Sequence, residues 1–157
     1  MHKVKYNFNQ HSLNNVSPNT LFHSPQNPSE IIAKADSGAS NHYWMIKDRK
    51  ILLDLMHSLG PTVYLPNNTS IKSNEHGFLP LTTLSKRAQK AHILPGLKNS
   101  SLISLGQLCD DNCVIKLTKS HLFVFKNNQL VLTGIRNNSD GLWDIPLPQT
   151  TSTFLQH

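Results

Sequence analysis

Ile31-Ile32-Ala33-Lys34-Ala35-Asp36-Ser37-Gly38-Ala39-Ser40 is the stretch on which the reading of this chain turns. A short apolar run delivers one aspartate into a Ser-Gly turn, and two more small residues follow. A β-strand ends this way when it presents a carboxylate. The strand supplies rigidity, the small side chains let another molecule approach, and glycine permits the sharp change of direction. A D-[ST]-G tripeptide alone is equally an ordinary tight turn in some other β-barrel, so its surroundings must decide.

Those surroundings are β in texture: short apolar runs broken by turn signals. The pattern predicts strands over 31–35, 62–65, 69–72, 78–84, 99–108, 113–117, 122–126, 129–133 and 141–145, with Tyr43 and Trp44 packing beneath the Asp loop and residues 91–94 leading into a Pro95-Gly96 turn. Residues 50–58 are ambiguous, because Ile51, Leu52, Leu55 and Leu59 fit helical spacing in a short run. Pro66-Asn67-Asn68 reads as a turn, residues 73–77 as a polar hairpin tip, and Asn127-Asn128 as a two-residue hairpin turn. Residues 1–30 are rich in Asn, Ser, Pro, His and Gln without a period, which predicts a disordered leader or linker. One β domain over 31–148 and a tail over 149–157 complete the expected organisation.

Composition narrows the classes. Of 157 residues 38% are hydrophobic, enough for one core. Fifteen Lys and Arg against nine Asp and Glu leave a formal charge of +6, a surface that attracts polyanions or is simply solvated. Cys109 and Cys113 are too few for a disulfide scaffold and read as reduced thiols. His121 is nearby, but no second Cys/His pair stands at finger-like spacing, so neither a metal site nor a cofactor is expected. The first residues lack a signal-peptide core, and no run approaches the roughly 18 apolar residues of a span. The expectation is an intracellular chain with no membrane contact, in which the Asn68-Thr69-Ser70 triplet carries no sugar.

Three features stand in an informative order: the strand ending in Asp36-Ser37-Gly38, a long hairpin around Gly77, and a strand ending in Leu102-Ile103-Ser104-Leu105-Gly106. Here the sequence resembles the retropepsin-like aspartic protease domain of copia-type retrotransposon Pol polyproteins. The residues that carry the likeness are ADSGASNH (35–42), VYLPNNTSIKSNEHG (63–77), LPGLKNSSLISLGQLCDDN (94–112) and TGIRNNSDGLWDIPLP (133–148). The resemblance implies an all-β fold, a single closed or partly closed barrel of the retropepsin type. Asp36 matches the catalytic aspartate, with Ser37 and Gly38 completing its motif. Ala39 and Ser40 match the small residues that follow, which the resemblance implies border the substrate. Asn74, Glu75, His76 and Gly77 lie where the flap over the substrate is expected, and Leu105-Gly106 where an apolar-Gly pair underlies the Asp loop. His42 matches a histidine of the motif, best read as structural.

The chemistry explains why one such aspartate is half a site. Peptide hydrolysis by this route needs a carboxylate to take a proton from water and a carboxylic acid to protonate the carbonyl. Two adjacent carboxyls cannot both ionise, so they share a proton and supply both roles, a known property of aspartic proteases. Asp48, Asp54, Asp110, Asp111, Asp140 and Asp144 all lack a following Ser/Thr-Gly. The second carboxylate is therefore expected from Asp36 of another copy, in a C2 homodimer. The implied substrate is the parent Gag-Pol polyprotein, and the implied location is the cytoplasm or a virus-like particle. The alternative is an inactive or domesticated barrel that holds nucleic acid or protein, if only weakly, through its basic surface.

Overall fold

Strand β2 (Ile31–Asp36) buries Ile31, Ala33 and Ala35 and leaves Ile32 exposed and Lys34 half-buried. That alternation is what a strand with one face on a core requires. The computed structural model describes Val4–Lys5 and residues 30–149, and the rest of the expected leader and tail lies outside the described residues. The other strands are β1 (Val4–Lys5), β3 (His42–Trp44), β4 (Leu53–His57), β5 (Thr62–Tyr64), β6 (Ser70–Lys72) and β7 (Glu75–Phe78). They continue with β8 (Lys90–Ile93), β9 (Leu102–Ser104), β10 (Val114–Leu117), β11 (His121–Lys126), β12 (Gln129–Arg136) and β13 (Trp143–Leu147). Helix is limited to α1 (Lys86–Gln89), α2 (Leu105–Asp110) and a 3-10 segment, Ile46–Ile51. The fold is all-β.

One sheet has ten strands in the order β10-β11-β12-β13-β2-β9-β3-β8-β7-β4, and a second has the order β1-β5-β6. Among the described residues neither ladder closes on itself. The main core gathers Trp44, Leu79, Ile103, Leu108, Leu122, Leu132 and Ile145, all essentially without exposure. A smaller cluster joins Ala39, Tyr43, Val63, Leu94, Leu97 and Leu102. Val63 thus ties the inner face of the β5–β6 hairpin to the chain just after Asp36. Lys34 ties β2 to the carboxyl end of the domain through ion pairs with Asp140 and Asp144. Partial burial pulls the lysine pKa down, but the two carboxylates outweigh it and hold the ammonium charged.

Four expectations need correction. Residues 50–58 are not one element: the 3-10 turn ends at Ile51, Leu52 is buried, and β4 follows with all five residues exposed. Its leucines have no second layer because β4 is the edge of the sheet. Residues 73–77 are not a projecting tip. Glu75, His76 and Gly77 belong to β7, paired on both sides to β4 and β8. The polar side chains are tolerated there because they have partners: His76 Nδ1 lies 2.7 Å from Ser58 Oγ, and Glu75 meets Arg49 at 3.6 Å. A Cβ on Gly77 would lie 2.7 Å from Leu52 Cβ, so the glycine answers to close packing and not to a turn.

The predicted strand over 78–84 ends at Phe78, and Ser85 caps α1 by accepting from the Ala88 N–H at 3.2 Å. The predicted strand over 99–108 is β9 followed by α2, because Ser104 acts as a helix cap. The Asn127-Asn128 hairpin stands as expected, with φ of 51° and 63° joining β11 to β12.

Candidate active site

Asp36 closes β2 in parallel register with Ser104, the last residue of β9. Because β9 lies between β2 and β3, residues 37–41 must arch over the end of β9 before β3 begins. This topology places the carboxylate on a loop with a strand end beneath it. Within the loop, the Gly38 N–H donates to Asp36 Oδ1 at 2.7 Å, which fixes the carboxylate against its own turn. A Cβ on Gly38 would stand 3.3 Å from that same oxygen. Ser37 and Gly38 are exposed, so Asp36 sits at an accessible rim with its strand anchored in the core.

Beneath the loop lies a buried polar network. Ser104 Oγ donates to the Ala39 carbonyl at 2.6 Å and accepts from the Gln107 N–H at 3.0 Å, so one hydroxyl both holds the loop and caps α2. The Ser104 N–H donates to His42 Nδ1 at 2.8 Å, while His42 Nε2 faces the Ala88 carbonyl at 2.7 Å. These two contacts define a neutral imidazole with its proton on Nε2. Burial pushes the His42 pKa down to about 4, against the opposing pull of the Ala88 carbonyl and with a smaller push from His92. Gln107 completes the network: its Oε1 accepts from the His42 N–H at 2.7 Å, and its Nε2 donates to the Arg87 and Lys90 carbonyls. His42 is a structural residue.

The expected site residues divide. Ser40 is exposed on the loop, with its Oγ 3.2 Å from the Tyr43 hydroxyl, and the Asn41 amide donates to both oxygens. Ala39 is buried, so it supplies packing and its carbonyl, not a surface for substrate. Gly106 is exposed, and the residue that underpins the loop is Ser104, two positions earlier. Asn74, Glu75, His76 and Gly77 lie in or beside β7, which β9, β3 and β8 separate from β2 in the sheet. The hairpin that shares a cluster with Ala39 is instead β5–β6, whose tip at Pro66–Thr69 is exposed. That tip is a closed turn, with the Leu65 N–H on the Thr69 carbonyl at 2.8 Å and Asn67 Oδ1 accepting from the Thr69 N–H.

Sequence reasoning missed Ser104 and Gln107. Their signal was legible: Ser-x-x-Gln is a capping-box pattern. Here the glutamine side chain reaches His42 and not the cap's own N–H, which Ser104 spends on the imidazole. Ser104→Ala leaves the Ala39 carbonyl without its donor and uncaps α2. The expected loss is about 2–3 kcal/mol, read from the urea midpoint. A change below about 0.5 kcal/mol would remove Ser104 from this role.

Among the described residues no group of three or more His, Cys, Asp or Glu stands where it could hold a metal ion, and no helix is long and apolar enough to cross a membrane. Cys109 is exposed, and burial raises the pKa of Cys113, the first cause among several. No family model, curated protein or solved structure matches the chain.

Proposed function

We propose that the chain is an aspartic endopeptidase of the copia-type retrotransposon class, a retropepsin-like β domain that acts as a homodimer on its own polyprotein. The observation that carries the proposal is the Asp36 loop. A carboxylate at the end of a core-anchored strand accepts from Gly38 in an exposed Ser-Gly turn, and a buried serine holds that turn from below. Such a frame preorganises a carboxylate for acid–base work.

The other carboxylates support the dimer. Asp48 is held by Ser101 and Asp54 faces Lys86, while Asp111 pairs with Lys126 and Asp140 and Asp144 share Lys34. These five are engaged elsewhere in the fold, and Asp110 stands at the exposed end of α2 with no Ser-Gly turn after it. Two Asp36 loops meeting on a two-fold axis then share one proton. One carboxylate activates water, the other protonates the peptide carbonyl, and no covalent intermediate forms. The β5–β6 hairpin, resting on the cluster that includes Ala39, is the element suited to cover the substrate. Its tip at Pro66–Thr69 takes the part that the sequence alone assigns to Asn74–Gly77.

The test is kinetic. Incubated with a proteome-derived peptide library, the chain should release pepstatin-sensitive products at a rate that rises with the square of protein concentration below the dimer dissociation constant. Cleavage linear in concentration, by a chain that sediments as a monomer, would overturn the shared site.

A further inference from the structure

The β10–β11–β12 meander carries a second kind of surface, remote in function from the Asp36 loop. Along β11, Leu122 and Val124 are fully buried, and the alternate residues lie on the opposite side of the strand, His121 exposed and Phe123 and Phe125 half-buried. Their rings form a row. His121 and Phe123 are stacked with centroids 5.7 Å apart and planes 14° from parallel, and Phe123 and Phe125 follow at 6.4 Å and 32°. Cross-strand register sets Lys116 opposite Phe123 and the exposed Val114 opposite Phe125. On the other side it sets the exposed Ile135 opposite His121.

Charge tells which partner such a face suits. From Asn112 to Ser139 the sequence contains no Asp or Glu, while Lys116, Lys119, Lys126 and Arg136 all fall within it. Among the nearby acids, Asp111 pairs with Lys126 at 2.8 Å, and Asp140 and Asp144 share Lys34, which leaves Lys116 and Lys119 without an acidic partner in the ion pairs of the described residues. Lys116 and Lys119 are exposed and stand on or beside the aromatic row. An apolar peptide would use the rings but not the acid-free basic surround, and a duplex would use the charge but not the rings. A single-stranded nucleic acid uses both, stacking its bases on aromatic faces while lysines meet its phosphates.

We propose that the outer face of β10–β12 binds single-stranded nucleic acid, with Phe123 and Phe125 as base-stacking positions and Lys116 and Lys119 as phosphate contacts. The site owes nothing to Asp36, so it stands whether or not the chain cleaves peptides.

Fluorescence anisotropy of the intact chain with a labelled oligouridylate of about 15 nucleotides tests it. Binding should weaken as salt rises. Lys116→Glu, an exposed substitution, should cut affinity about tenfold and flatten the salt dependence by roughly one unit of log–log slope. Phe123→Ala should cut affinity at least about fivefold with little change in slope. Phe125→Leu serves as a second aromatic variant if Phe123→Ala fails to fold, since leucine keeps the packing volume and removes the π-face. The proposal is overturned if the intact chain ignores the oligomer at low salt, if all three variants bind like the parent, or if the matching duplex binds as tightly. It is also overturned if Lys116→Glu only dissociates a self-associated chain, which would assign the face to a second copy.

Discussion

Asp36→Asn is expected to lower peptide cleavage by about a thousandfold or more while leaving the fold in place. The asparagine carbonyl keeps an acceptor where Asp36 Oδ1 now takes the Gly38 N–H at 2.7 Å, so the turn has no reason to open. What disappears is ionisation. In the proposed dimer two amides replace the two carboxyls, and neither can take a proton from water or return one to the peptide. A thermal midpoint within a degree or two of the parent would show that the loss is chemical. Mixing gives a sharper reading: excess Asp36→Asn chain should suppress the parent's activity, because each mixed dimer holds only one carboxyl. Undiminished cleavage by the variant would sink the mechanism. Full activity of the mixture, with exchange of copies demonstrated, would sink the shared site.

The second large effect concerns acid. His42 is neutral and fully buried, with a pKa near 4, whereas an unfolded histidine titrates near its ordinary value of 6.5. Above about pH 6.5 neither state carries the extra proton and this contribution is fully present. As pH falls through the window from 6.5 to 4, the unfolded chain takes up a proton that the native site refuses, and stability drops. The loss from this one group is on the order of 3 kcal/mol across the window, a large share of a typical domain's 5–15 kcal/mol. His92, whose pKa burial also lowers to about 4, pushes in the same direction. Urea midpoints measured between pH 7.5 and 4.5 should therefore fall steadily. His42→Ala should destabilise by about 3–5 kcal/mol at pH 7, because the Ser104 N–H and the Ala88 carbonyl both lose a partner, and should flatten the pH dependence. A midpoint level across that range would contradict the buried neutral imidazole.

These two expectations rest on residues of different legibility. Asp36 was visible at once, because an apolar run, an aspartate and a Ser-Gly pair are all local. His42 was visible as a residue but not as a hub, because its partners Ala88 and Ser104 lie 46 and 62 positions away. The aromatic row of β11 was hidden in the same way. Its rings are two residues apart in sequence, and only strand pairing sets Lys116 beside them.

What the chain determined by itself was short-range. Alternation in β2, the paired asparagines of the β11–β12 turn and the closed turn at Pro66–Asn68 follow from side-chain period and from residues that tolerate positive φ. The Asp36 turn is short-range too, since the Gly38 N–H closes it on the carboxylate two residues before it. Tertiary structure decided the rest. Glu75-His76-Gly77 reads as a polar tip, yet becomes an interior strand because Ser58 and Arg49 satisfy its polar groups and Leu52 fills the space over its glycine. Residues 99–108 read as one strand, yet the chain turns helical at Ser104 because that hydroxyl is claimed by Ala39 and Gln107 together. Hydrogen-bond partners so distant leave no mark on local hydrophobic pattern. The loop that carries Asp36 was written in the sequence, and the network that holds it exists only once β2, β9 and β3 have met.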